Sequence, residues 1–330
     1  MILAGDIGGT NVRLALFEDR GDHLETLAEQ SFLTHAYAGL EEIVALFLDR
    51  QGHKKVDQAS FGVAGPVIDG QVHATNLPWL IEASTLQSAL DLMDVGLIND
   101  LEANAYGIAL LRPSDLVVVN AGVPGATGNA AIISAGTGLG EAGLYWDGHR
   151  HRPFATEGGH TDFAPAGELQ VELLQYLTAE YGRVSWERVL SGPGLYNLYR
   201  FLRDTGRGKE SAATQQQLRQ AEDLPSVIGR SALSGNDPLS EQALDLFVAL
   251  YGAEAGNLAL KIMARGGLYV GGGIAPKIVA KLRTPAFLQA FVAKGRLQPL
   301  LEAMPLSIIL NDRTALLGAA RYALLAGEQP

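Results

Sequence analysis

The chain has 330 residues, a length that favours about two domains and leaves ample room for a buried core, so no metal or disulfide staple is needed for size reasons. Its 47% hydrophobic and 18% charged residues argue against disorder, and 36 acidic against 25 basic residues, a net charge of −11, make it a poor binder of nucleic acid or anionic membrane. Cysteine is absent, which excludes disulfides, thiol catalysis, iron–sulfur clusters and cysteine-ligated zinc.

The first residues, Met1–Asp6, carry no basic region, no long apolar run and no cleavage site, and read as a strand rather than a signal peptide. No segment approaches the ~18 consecutive apolar residues of a membrane span. The compartment expected is the cytoplasm. Strands are predicted at Ile2–Asp6, Val12–Phe17 and Leu24–Leu33, with Gly8-Gly9-Thr10 turning between the first two. Leu40, Ile43, Val44, Phe47 and Leu48 repeat at helical spacing. Ala59–Ala64 reads as a buried strand, Val67–Val72 as an Asp-Gly hairpin, Leu86–Leu92 as a helix and Val95–Ile98 as a strand. Further on, Leu101–Leu111 reads as helix and Leu116–Asn120, Ala130–Ser134 and Gly143–Trp146 as strands. From about Gly167 the pattern is mostly helical, clearest at Gln170–Leu177 and Ala243–Ile262. The polar stretch Arg203–Gln220 is expected to be exposed and mobile or partly helical, without chemistry. Strands at Leu268–Val270 and Leu306–Leu310 and a helix at Thr314–Leu325 complete the chain, and the whole reads as α/β.

Glycine numbers 39, roughly 12% against a usual ~7%, and it clusters. A strand, a glycine-rich turn and a second strand occur twice, with turns Gly5-Asp6-Ile7-Gly8-Gly9-Thr10 and Ser134-Ala135-Gly136-Thr137-Gly138-Leu139-Gly140. Backbone N–H groups in such turns cradle anions, phosphate above all, and so let an acidic protein hold a polyanion. Asp6, at a strand end, suits Mg²⁺ through water, and Thr10 and Asn11 suit phosphate oxygens. A plain glycine-rich hairpin is the alternative. Gly138–Gly143 matches the dinucleotide pattern G-x-G-x-x-G, but Leu144-Tyr145-Trp146 continues as strand where that site requires a helix. Gly208-Lys209 precedes Glu210, so no Walker A motif is present.

Asn99-Asp100 follows an apolar strand, where an aspartate can take a proton from a substrate hydroxyl during phosphoryl transfer, or where either residue can simply cap the next helix. Glu157-Gly158-Gly159-His160 aims a carboxylate and an imidazole at one small polar ligand, or is a capped loop. His149 and His151 lie too close together to form a convincing zinc pair with His160. Glu187 is either a ligand-binding carboxylate or a surface helix charge. Gly271-Gly272-Gly273 lets a base and ribose pack on backbone, or is a tight strand–helix turn.

Gly5–Arg13 resembles the first phosphate motif of the actin–hexokinase–heat-shock ATPase superfamily, Ser134–Gly140 its second, and Gly271–Gly273 its adenosine motif. Ile98–Asp100, Glu157–Pro165, Ser185–Gly194 and Asn311–Ala320 resemble bacterial glucokinases of the proteobacterial type. The resemblance spans nearly the whole chain. It implies a two-domain actin-like (ribonuclease H-like) α/β fold with an interdomain cleft that closes over glucose, the small domain being 1–110 plus 311–330 and the large one 111–310. It further implies transfer of the ATP γ-phosphate to the glucose 6-hydroxyl, with ATP and Mg²⁺ as cofactors and a homodimeric assembly. On that resemblance Asp100 is the general base, and Asn99, Asp100, Glu157, His160 and Glu187 hold the sugar. Gly5, Asp6, Ile7, Gly8, Gly9, Thr10, Asn11, Gly136, Thr137, Gly138, Gly271, Gly272 and Gly273 hold the nucleotide, with Asp6 serving Mg²⁺. The related repressor–kinase branch carries a cysteine-rich zinc motif that this chain lacks. A kinase for another hexose and a non-catalytic sugar sensor of the same fold are the alternatives.

Overall fold

A computed structural model describes residues 1–21, 23–52, 55–74 and 77–327. The chain divides into two compact units: Met1–Asp115 with Arg152–Ala155 and Asn311–Pro330, and Leu116–His151 with Thr156–Leu310.

The first unit holds β1 (Ile2–Ile7), β2 (Asn11–Asp19), β3 (Leu24–Leu33), α1 (Leu40–Arg50), β4 (Gln58–Val63), β5 (Gln71–His73), β6 (Leu80–Glu82), α2 (Ala83–Leu90), β7 (Val95–Asn99) and α3 (Asp100–Gly107). Its main sheet has the order β3-β2-β1-β4-β7. The β1–β2 and β2–β3 pairs are antiparallel, whereas β4 and β7 run parallel to β1. A parallel strand covered on both faces reads as a continuous apolar run, and β1 and β4 do so. Leu3 and Ile7 of β1 face a core with Leu14, Phe47, Phe61 and Val63. Ile2 and Ala4 face the opposite way, onto Leu316, Ala319, Ala320 and Ala323 of the final helix. The Asp69-Gly70 turn has φ of 50° and 72°, the two positive values of a type I′ hairpin, and closes Ile68 against Gln71 as expected.

The second unit holds β8 (Leu116–Asn120), β9 (Ala130–Ala135), β10 (Leu139–Trp146), the two end residues of β11 (His151–Thr156), α4 (Glu168–Tyr181), α5 (Gly192–Asp204), α6 (Ala212–Gln220), α7 (Leu224–Leu233), α8 (Pro238–Ile262), β12 (Gly267–Gly271), α9 (Val279–Leu282), α10 (Pro285–Val292), α11 (Gln298–Glu302) and β13 (Leu306–Ile309). The last helix, α12 (Thr314–Gly327), belongs to the first unit. The second sheet has the order β11-β10-β9-β12-β13-β8. Its first five strands repeat the order of the first sheet, with β9 and β10 antiparallel and β12 and β13 parallel to β9. The repeated turn seen in the sequence is thus one end of a repeated sheet.

Helix α8 runs through the second core, with Leu244, Phe247, Tyr251 and Ala255 fully buried. It begins at Asp237, whose carboxylate accepts from Ser240 N at 2.8 Å, with Pro238 in the first turn. By length and composition alone it could cross a membrane, but 67% of its apolar window is buried within the protein, as in a core helix.

One element differs from the sequence reading, and one alternative is decided. Strand β10 begins at Leu139 rather than Gly143, because Leu139 already pairs with Ala135 across the glycine turn. Arg203–Gln220 is partly helical, one of the two forms expected of it, with α6 at Ala212–Gln220. Ser211 caps α6 by accepting from Thr214 N, Asp237 accepts from Ser211 N at 2.9 Å, and the Tyr199 hydroxyl donates to Glu210 at 2.9 Å. Polar side chains that look like a loose loop in sequence are here spent on caps and ties.

Candidate active site

In the first unit, three parallel strands end in register. Ile7 lies beside Val63, and Val63 beside Asn99. Adjacent strands sit about 4.8 Å apart, so the ends of β1 and β7 are separated by about 10 Å along one carboxyl-end edge, where α/β folds take ligands. At one end of this edge stands Asp6, paired across the hairpin with Arg13. Burial lifts its carboxyl above the usual carboxylate range; the Arg13 guanidinium opposes the rise and the Asp312 carboxylate adds to it. Arg13 is in turn held by Asp312 at 3.2 Å. A half-buried acid of this kind gains from a bound cation. No group of three or more His, Asp or Glu able to cage a metal occurs among the described residues. A single carboxylate completed by water and phosphate suits Mg²⁺.

The turn after β1 is braced from behind. Gly8 N–H donates to Asn11 O at 3.0 Å, the Thr34 hydroxyl donates to Gly8 O at 3.2 Å, and Thr34 N–H donates to Thr10 O at 3.0 Å. Gly9, Thr10 and Asn11 remain exposed.

At the other end of the edge, Asn99 is the N-cap of α3. Its Oδ1 accepts from Leu101 N at 2.9 Å and Glu102 N at 3.3 Å, while its Nδ2 donates to Gly65 O at 3.1 Å. Asp100 is the first helical residue. Its Oδ1 accepts from Leu101 N at 2.8 Å, so the positive end of the helix favours its anion. The helix lies tightly on β4: a Cβ on Gly62 would come within 2.7 Å of the Ala103 methyl.

In the second unit, β9 and β12 are parallel neighbours with Ser134 opposite Gly271, so both glycine turns leave the same sheet edge. Gly136 N–H donates to Gly138 O at 2.8 Å. A Cβ on Gly136 would come no closer than 4.0 Å to Gly273 N, and one on Gly273 would meet open space. Gly272 has φ +84° and rests against the Ala135 backbone, where any side chain would collide. The buried Ser134 hydroxyl lacks a partner among the described residues. An open glycine cradle with an unused hydroxyl at its base fits a nucleotide. Tyr251 of α8 ties the two strands from below. Its hydroxyl accepts from Ala135 N at 3.0 Å and lies 3.3 Å from both Ile133 O and Gly271 O.

Glu157 and His160 flank a 3-10 turn at Gly158–His160, and both are exposed. Both glycines of that turn are obligatory by contact. A Cβ on Gly158 would collide with the Glu141 carboxyl, and one on Gly159 with the Leu139 carbonyl. The segment is sewn to residues 184–186 by Phe163 N–H to Val184 O and Trp186 N–H to Thr161 O, both 3.0 Å. Arg183 pins the His160 carbonyl at 2.6 Å and Asp162 at 2.7 Å. Glu187 is half-buried, and its Oε2 accepts from Leu139 N at 3.0 Å. The expected sugar residues Glu157, His160 and Glu187 are therefore brought together in one unit, against the second glycine turn. Asn99 and Asp100 belong to the other unit, with Asp6.

Tyr251, Arg183 and Glu141 were not singled out from sequence. Glu141 had a signal, a lone acid inside an otherwise apolar strand. Tyr251 had none, since it merges with the apolar residues of its helix.

Two sheets of repeated order, each ending in a glycine turn, define an actin-like sugar kinase. The glucokinase family profile matches residues 3–326. The glucokinase of Trichormus variabilis is 43% identical over 334 residues, covering 97% of this chain and 98% of its own. The crystal structure of a glucokinase from an Antarctic psychrotroph gives a TM-score of 0.85 at 32% identity, covering 98% of each chain. A ROK family glucokinase from Streptomyces griseus shares the fold, with a TM-score of 0.66 at 22% identity over 98% of this chain and 99% of that one. The chain belongs to the glucokinase family, apart from the repressor–kinase branch, and is an enzyme that phosphorylates glucose with ATP.

Proposed function

We propose that phosphoryl transfer goes to the 6-hydroxyl of glucose, with Asp100 as general base and the other named residues in binding roles. The observation that carries this reading is the shared register of Ile7, Val63 and Asn99, which puts the Asp6 turn and Asp100 on one strand edge. Asp100 would accept the hydroxyl proton as the oxygen attacks the γ-phosphorus. Its Oδ1 accepts from Leu101 N–H, which fixes the carboxylate at the start of the helix. Asn99 is largely committed to capping, so its contribution to the sugar is the remaining Nδ2 hydrogen. Glu157, His160 and Glu187 would each take hydroxyls, and an epimer that leaves one of these groups unpaired is disfavoured.

The turns at Gly5–Asn11 and Gly136–Gly138 would take the phosphates, and Gly271–Gly273 the adenosine. Asp6 would hold Mg²⁺ through water, and the ion, when bound, neutralises phosphate charge. On this reading the first unit is the catalytic small domain and the second carries most of the sugar and nucleotide contacts. The resemblance further supports a cytoplasmic homodimer.

The test is kcat/KM for purified protein with ATP and Mg²⁺ across glucose, mannose, glucosamine and fructose, in a coupled assay. Glucose is expected to lead by at least about tenfold, the scale set by one unpaired polar contact. A higher value for another hexose would reassign the substrate, and no product from any of them would overturn the kinase reading.

A further inference from the structure

Glu141 lies in the middle of β10, directly beneath the turn that presents Glu157 and His160. It is 1% exposed, and its Oε1 has no hydrogen-bond partner among the described residues. Its Oε2 fills the space where a Gly158 side chain would be. Its backbone also grips the turn: the Thr156 hydroxyl donates to Glu141 O at 2.7 Å, and Gly158 N–H donates to that hydroxyl at 3.2 Å. The turn is thus supported at two points by one residue.

The neighbours on α8 explain how a lone acid survives there. Glu254 is fully buried, and its carboxylate accepts from Asn257 Nδ2 at 2.7 Å and Lys261 Nζ at 3.0 Å. Lys294 donates to Ala253 O at 2.8 Å and Asn257 Oδ1 at 2.7 Å, backing the same cluster. Tyr251, one turn earlier, faces the strand ends. Glu254 already has two donors in Asn257 and Lys261, whereas Glu141 Oε1 has none, so a proton held by this pair of acids belongs on Glu141. Burial, reinforced by the Glu254 charge and opposed by Lys261, pushes the Glu141 carboxyl up to about 8.

We propose that Glu141, protonated and hydrogen-bonded to Glu254, is the positioning residue that sets the Glu157–His160 turn for the sugar. This rests on the assignment of that turn to glucose. Ionisation would place a second negative charge beside Glu254 in a site closed to bulk solvent, with Glu141 1% and Glu254 0% exposed. The pair would separate, and the Glu141 carboxyl would press on Gly158. Sugar affinity would suffer while the nucleotide cradle, built on β9 and β12, would not.

The experiment is the glucose KM, the ATP KM and kcat from pH 6 to 9.5 for the wild type, Glu141→Ala, Glu141→Gln and Glu157→Gln. Glu141→Ala is expected to raise the glucose KM about tenfold at pH 7 with kcat changed by less than about threefold. Glu141→Gln keeps the shape and offers an amide donor to Glu254, so it should restore the KM lost in the alanine variant. It should also lack the several-fold rise in glucose KM that is expected of the wild type above about pH 8. If the wild type and Glu141→Gln have the same pH profile while Glu157→Gln loses glucose affinity, the positioning role is wrong and the sugar turn stands. If Glu157→Gln keeps its glucose KM, the sugar-turn assignment is wrong and the proposal falls with it. Should Glu141→Ala fail to fold, the profile of Glu141→Gln decides alone.

Discussion

On the proposed mechanism, Asp100 satisfies two demands. As the first residue of α3 it accepts from Leu101 N, and Asn99 before it closes the helix start. Both the capping and the catalytic readings drawn from the Asn-Asp dipeptide describe the same strand end, because the positive helix terminus that wants a cap also favours a carboxylate. Replacing Asp100 by Asn keeps size and a capping oxygen but removes the base. Turnover is expected to fall by roughly 10²- to 10⁴-fold, with the glucose dissociation constant changed by less than about threefold, measured by quenched-flow turnover and calorimetric binding. Turnover within about threefold of the wild type would remove Asp100 from the general-base role. Residues of this type are legible in sequence because their chemistry needs a particular side chain at a strand end. Tyr251 works by reach from a distant helix to Ala135 N, and only packing reveals it.

At the level of elements, the glycine excess has two origins. The clusters at Gly8-Gly9, Gly136–Gly138 and Gly271–Gly273 mark the turns, and the sequence exposes them by adjacency. Scattered glycines such as Gly107 and Gly318 carry no such mark. They let α3 and α12 pack backbone to backbone: a Cβ on Gly107 would collide with the Thr314 carbonyl, and one on Gly318 with the Ala103 carbonyl. Since α3 starts with Asp100, this contact fixes the position of the proposed base on the sheet. Gly318→Ala is expected to cost roughly 1–3 kcal/mol by overpacking and to lower kcat by moving α3. Gly229→Ala, in α7 with nothing near its added Cβ, is expected to stabilise by about 0.5–1 kcal/mol through helix propensity. Denaturant melts of the pair check both signs, and equal effects would show that helix propensity, not close packing, governs Gly318. The same distinction explains the strand reading. Leu24–Leu33 and Leu116–Asn120 coincide with β3 and β8 because their patterns are bounded by turn residues, whereas β10 starts inside a glycine run that hides its first pairs.

For the molecule as a whole, the net charge of −11 is compatible with a polyanionic substrate on the proposed reading, in which oriented backbone amides and one cation would do the neutralising locally. The acid–base balance of stability is likewise set by a few buried groups. Hydrogen bonds from Ser240 and Ser211 hold the Asp237 carboxyl below its usual range against the opposing pull of burial, so its contribution is present above the unfolded carboxylate pKa and fades as pH falls below it. Glu141 acts in the opposite sense. Below its ordinary value of 4.5 both folded and unfolded chains hold its proton, and the group adds no pH dependence. Between 4.5 and about 8 the folded chain keeps a proton that the unfolded chain releases, so stability declines as pH rises through that window and levels off above it. The melting temperature of the wild type should therefore fall from about pH 5 to about pH 8 more steeply than that of Glu141→Gln, whose amide does not titrate. Differential scanning calorimetry of the two chains in parallel isolates this group from every other carboxyl they share. Parallel curves across the window would mean that Glu141 is ionised in the folded protein, and that Lys261 neutralises both members of the pair.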